Sequence, residues 1–175
     1  MYGGTERIVS YLTEELVRFG HDVTLFASED SITSAELAPC CTRALRLDPT
    51  VRDIIPYFML MIDKVCERAK EFDVFHFHID FFHFPLFRSL AARTLTTLHG
   101  RQDLADLKPF YSRFGEMPLI SISNDQRKPL PHANFVATIH HAFRPICTGR
   151  RLSRGATLPS LDGFRRKSAL TARLE

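Results

Sequence analysis

The sequence predicts an α/β fold, a mostly parallel sheet with helices on both faces. Three observations carry that prediction. Short apolar runs alternate with runs of helical period from residue 5 to residue 139. The 175 residues, 45% hydrophobic and 25% charged, suit one domain with a buried core and exclude bulk disorder. Residues able to do chemistry also gather where such runs end, at Ser28, His78 to Asp80, His99-Gly100-Arg101 and Ser123-Asn124. In parallel sheets ligands collect at those carboxyl ends.

Each element follows from its pattern. Apolar residues at Ile8, Val9, Tyr11, Leu12, Leu16 and Val17 predict a helix over 5–19, closed by Gly20. His21 to Ala27 reads as a short buried strand, and residues 29–50 as turn-rich irregular chain. A helix is predicted over 51–72, with Pro56 tolerated only near its first turn. Strands are expected at 73–79, 94–98, 119–123 and 134–139. Short helices are expected at 85–92, 103–115 and 124–128, the last with Ser123 as its cap. Beyond His141 no period is sustained, and residues 142–175 read as an irregular, disordered basic tail.

Charge supports that division. Residues 142–175 hold eight Lys or Arg against two acids, whereas residues 1–141 hold fifteen against eighteen. The basic balance thus belongs to the tail, which argues against a nucleic-acid partner for the body. No apolar run is long enough for a membrane span, so no integral membrane segment is expected. The first residues lack a basic-then-apolar signal pattern, and the four Cys lack metal-ligand spacing. Reduced thiols in a cytoplasmic protein fit that pattern.

Three motifs carry chemistry. Gly3-Gly4-Thr5-Glu6 opens the first helix, where backbone amides and the helix N-terminus suit an anion, or form a plain turn capped by Thr5. His76-Phe-His78-Ile-Asp80 places two imidazoles on one strand face. It resembles the H-x-H-x-D opening of metallo-β-lactamase-type hydrolases, but Phe81 stands where a further His is needed. The alternative is a pair of strand-end histidines bonded locally. His99-Gly100-Arg101 follows a strand, suited to substrate contact through His99 and to a phosphate or carboxylate through Arg101, or to a simple turn.

Taken in order, Tyr2-Gly-Gly-Thr-Glu-Arg, Tyr11-Leu-Thr-Glu-Glu-Leu, Gly20-His-Asp-Val-Thr-Leu-Phe-Ala-Ser28, Phe75-His-Phe-His-Ile-Asp80, Thr96-Thr-Leu-His-Gly-Arg101 and Ile120-Ser-Ile-Ser-Asn124 resemble bacterial members of glycosyltransferase family four. The resemblance spans residues 2–141. It implies a Rossmann-like N-terminal, acceptor-side domain of the GT-B fold, in an enzyme transferring a sugar from a nucleotide diphosphate sugar with retention. It also implies His99 as the catalytic group beside the transferred sugar. Gly3 and Gly4 would contact the donor phosphates or the acceptor. His78, Asp80, Arg101, Ser123 and Asn124 would line the acceptor side. No metal or cofactor is implied; the nucleotide sugar and a sugar or small-molecule acceptor are the partners.

Two departures from the family bear on activity. Members have a strand before the Gly-Gly loop, so the sheet here is expected to lack its first strand, leaving unpaired backbone at its centre. The donor-binding domain is also missing. Restoring one base at codon 142 in a plausible back-translation turns His141-Ala-Phe-Arg-Pro-Ile-Cys-Thr148 into His-Gly-Phe-Pro-Ala-Asp-Leu-Tyr. Later codons in that frame resemble the opening of the family's donor domain. Residues 142–175 are therefore expected to be a frameshift product, and the chain to be inactive alone. The alternatives are a zinc-dependent hydrolase on His76, His78, Asp80 and His83, or a non-catalytic module binding a sugar, a partner or nucleic acid.

Overall fold

The computed structural model describes residues 4–141 and 166–172. Seven strands among them form one parallel sheet in the order β2-β1-β7-β3-β4-β5-β6. They are β1 Asp22–Ser28, β2 Glu36–Cys41, β3 Val74–Phe77, β4 Thr94–Thr97, β5 Leu119–Ser121, β6 Phe135–Thr138 and β7 Lys167–Thr171. The helices are α1 Gly4–Arg18, α2 Ile55–Glu67, α3 Phe84–Phe87, α4 Leu107–Arg113 and α5 Asn124–Arg127. The predicted α/β, Rossmann-like architecture is present.

Local chemistry sets the ends of these elements. Gly20 adopts φ 85°, the left-handed conformation that stops α1. There Gly20 N donates to Val17 O and His21 N to Leu16 O, satisfying carbonyls that the helix end would otherwise strand. Pro56 lies in the first turn of α2, where its missing N–H costs nothing. Ser123 caps α5 by accepting from Gln126 N at 3.1 Å.

Two strands depart from the sequence reading. β2 lies in the segment expected to be irregular. Glu-Leu-Ala-Pro-Cys-Cys has no β-branched residue, and its Pro39 suits only an edge strand, which β2 is. The larger difference is β7. Residues 142–165 lie outside the described residues, but Lys167–Thr171 is an ordered strand at the centre of the sheet. It pairs with β1 from Asp22↔Lys167 to Phe26↔Thr171, and with β3 from Val74↔Ser168 to His76↔Leu170. The place expected to be empty is filled from the other end of the chain.

The sheet separates two apolar layers. On one side α1 packs Val9 against Val23, Leu25, Ala27, Leu170 and Ala172. On the other, Phe58, Met61, Ile62, Phe75, Phe77, Phe84 and Phe87 form the main core with Tyr111 and Leu119. Phe87 meets Phe75 and Phe77 edge-on at 5.1 and 4.7 Å, the geometry ring quadrupoles favour. This layer accounts for much of the Phe-rich composition. No described helix is long and apolar enough to cross a membrane.

Leu170 is fully buried between β1 and β3. Leu170→Ala is expected to lower unfolding free energy by about 2–5 kcal/mol, read from the urea midpoint. A residue in an irregular tail would change it by less than about 0.5 kcal/mol, and that result would contradict the strand.

Candidate functional site

Parallel pairing of β3 and β4 brings their following residues together at the carboxyl edge of the sheet. On β3, Phe75 and Phe77 enter the core, so His76 and His78 face the opposite side. Their rings lie 4.3 Å apart. His99, two residues beyond β4, comes within 2.8 Å of His78 through Nε2 and Nδ1. His141, beyond β6, sets its ring 5.1 Å from that of His99, tilted by 38°. Four imidazoles thus run across the ends of three strands.

The hydrogen bonds assign protons. His78 is buried, and among the described residues its Nε2 has no partner. A bare buried acceptor costs less than a buried N–H without an acceptor. His78 therefore carries its proton on Nδ1 and donates it to His99 Nε2. His76 Nε2 bonds Thr97 Oγ1 at 2.8 Å. Burial pushes His76 down to about 4 and His78 well below the ordinary imidazole range, so both are neutral at physiological pH.

Other predicted residues distribute unevenly. Asp80 closes the turn after β3 with φ 56°, which Asp tolerates better than most side chains. Its Oδ1 lies 3.7 Å from where a methyl on Gly100 would stand, so Asp80 borders the His99-Gly100 turn. Arg101 points elsewhere and forms an exposed two-bond pair with Asp103 at 2.6 and 2.8 Å. Ser123 spends its hydroxyl on the α5 cap, and Asn124 is exposed at the start of that helix. Gly4 begins α1 with nothing within 4 Å of an added methyl, and Gly3 lies outside the described residues.

Beyond His141 and Thr97, two further contributors were not singled out from the sequence. Gln126 donates to Leu98 O at 3.1 Å and Gly100 O at 2.8 Å, while its Oε1 accepts from Ile122 N. One side chain therefore holds the backbone on both sides of His99. The Ser123-x-x-Gln126 capping spacing was the available signal. The second is Thr171, whose Oγ1 accepts from His78 N at 3.2 Å. Nothing in the tail's pattern announces it.

The zinc alternative fails on geometry. His83 lies on the other face of the sheet, stacked 3.7 Å from the Phe77 ring and bonded to Thr96 Oγ1. It cannot join His76 and His78 around one ion. Among the described residues no group of three His, Cys, Asp or Glu side chains could hold a metal.

Among the described residues, cavities adjoin the sheet at both edges. One of about 440 Å³ opens beside α1 at the carboxyl ends of β1 and β7, lined in part by Glu6, Ser10, Ala27, Ser28, Ile32 and Ala172. A larger one, about 700 Å³, lies at the opposite, amino edge near His21, Glu36, Arg68 and Lys167. Its Arg68 is already paired with Glu36 and Glu71, and none of the strand-end histidines reaches it. The smaller cavity is the one on the edge that carries the chemistry.

The sequence profile of Glycosyltransferase Family 4 matches residues 2–124, and the chain belongs to that family. No curated protein matches it.

The buried histidines set a pH dependence. An unfolded imidazole titrates near 6.5, whereas burial brings folded His76 to about 4 and holds His78 and His83 well below the ordinary imidazole range. Stability from keeping them neutral is complete above pH 6.5 and is lost as pH falls toward 4. Below pH 6 the loss should approach about 1.4 kcal/mol per pH unit for each histidine. Urea melts at pH 7.5, 6 and 5 check this; equal midpoints would contradict neutral burial.

Proposed function

From that membership, we propose that the chain is the acceptor-side domain of a retaining glycosyltransferase. The parent enzyme transfers a sugar from a nucleotide diphosphate sugar to a sugar or small-molecule acceptor. The observation that best supports this is the His78–His99 hydrogen bond at the carboxyl edge of the sheet. His99 stands at the edge where parallel sheets bind ligands.

In this reading His99 is the catalytic residue, donating from Nδ1 to an oxygen of the transferred sugar. His78 acts through it and is a positioning residue. Gly3 and Gly4 approach the donor phosphates or the acceptor, and Asp80, Ser123 and Asn124 border the acceptor. Arg101 reaches an anion by leaving Asp103, which costs little because water screens a fully exposed pair. The leaving diphosphate gains negative charge as the glycosidic bond breaks, and positioned amides and basic side chains stabilise it.

Much of that stabilisation belongs to a second domain that grips the donor. The reading therefore includes residues 142–175 as the product of a shifted frame, in a cytoplasmic protein. The zinc hydrolase is not retained.

The test begins with the gene. One base added near codon 142 should open a frame into a donor domain. Protein from that restored frame should transfer sugar with the anomeric configuration of the donor retained, read by NMR, while the present chain shows no turnover. His99→Ala in the restored protein should lower kcat/KM by about 100-fold or more. Absence of such a frame, or a His99→Ala variant as active as its parent, would sink the proposal.

A further inference from the structure

The last described strand lies between the first and third, and the partners named here are all remote in sequence. Lys167 N donates to Asp73 Oδ2, Asp73 N to Lys167 O, and Asp22 N to Arg166 O. At the far end Ala172 N donates to Phe26 O, and Thr171 Oγ1 accepts from His78 N. Each of these partners lies more than ninety residues away in sequence. The backbone on the facing sides of β1 and β3 requires a strand here, because unpaired groups at a sheet centre are costly. Its side chains need only be small or apolar, as Ala169, Leu170 and Ala172 are.

Nothing in the pairing requires that strand to come from the same molecule. β6 and β7 stand four strand spacings apart, about 19 Å, and the chain must also return along the sheet, about 17 Å. The 28 residues between Thr138 and Lys167 can span up to about 92 Å. That reach serves a neighbouring molecule as well as its own. We infer that the channel between β1 and β3 is a strand-acceptor site, and that Lys167–Thr171 of a second copy of this chain can fill it. The exchanged form makes the same hydrogen bonds, in the same register, as the closed one. Only the tether distinguishes them, through an effective concentration on the order of millimolar. The partner copy then supplies Thr171 beside His78. This inference does not depend on the enzymatic reading.

The register supplies the test, since Val23 faces Ser168 across β1 and β7. Full-length chains carrying Val23→Cys are mixed with full-length chains carrying Ser168→Cys and refolded at about 10 μM and about 1 mM. Both samples are mildly oxidised, and linked peptides are identified by mass, which separates this bond from any made by native cysteines. An interchain bond between positions 23 and 168 is expected, rising at least about tenfold at the higher concentration. A single chain carrying both substitutions is refolded in parallel at the lower concentration. If it forms its internal bond while the mixed chains form none at either concentration, exchange is overturned. If neither bond forms, β7 does not occupy the channel and the inference falls with it.

Discussion

The backbone on the facing sides of β1 and β3 must be paired, and the rest of the structure depends on that requirement. A parallel sheet cannot leave a gap at its centre, because each unpaired amide or carbonyl there loses water without gaining a partner. β7 meets the requirement with five residues from the end of the chain. Its insertion joins α1, β1 and β2 to β3 and the strands beyond it, and Leu170 and Ala172 complete the layer beneath α1. A basic segment with no evident pattern thus does the work of a core strand.

The candidate site is a consequence of the same parallel arrangement. Strands running side by side deliver their following residues to one edge, so His78, His99 and His141 meet although separated in sequence. Burial keeps His76 and His78 neutral, and Gln126 fixes the backbone around His99 from a short helix capped by Ser123. His78 touches both parts of the account. Its ring bonds His99, while its backbone N–H bonds Thr171 of the inserted strand.

Most of the fold was legible because periodicity and turn chemistry agreed, as at Gly20, Pro56 and Ser123. β2 was not, since Pro39 and two cysteines give no strand signal, and an edge strand needs little propensity when a partner supplies the ladder. β7 escaped for a related reason. Ser, Ala and Thr become a strand where two neighbours already define one, and no local pattern reports that. Within the site, His78 and His99 stood out as polar residues at strand ends, but their direct bond required the register of β3 against β4. Sequence likewise put His83 near His76 and His78; only alternation along β3, with His83 stacked on Phe77, separates them to opposite faces.

Native-state hydrogen exchange on the full chain measures the central constraint most directly. If β7 lies between β1 and β3, the amide of Leu170 should exchange as slowly as that of Phe75, both opening only with global unfolding. Exchange at Leu170 as fast as at an exposed terminus, with Phe75 still protected, would contradict the account.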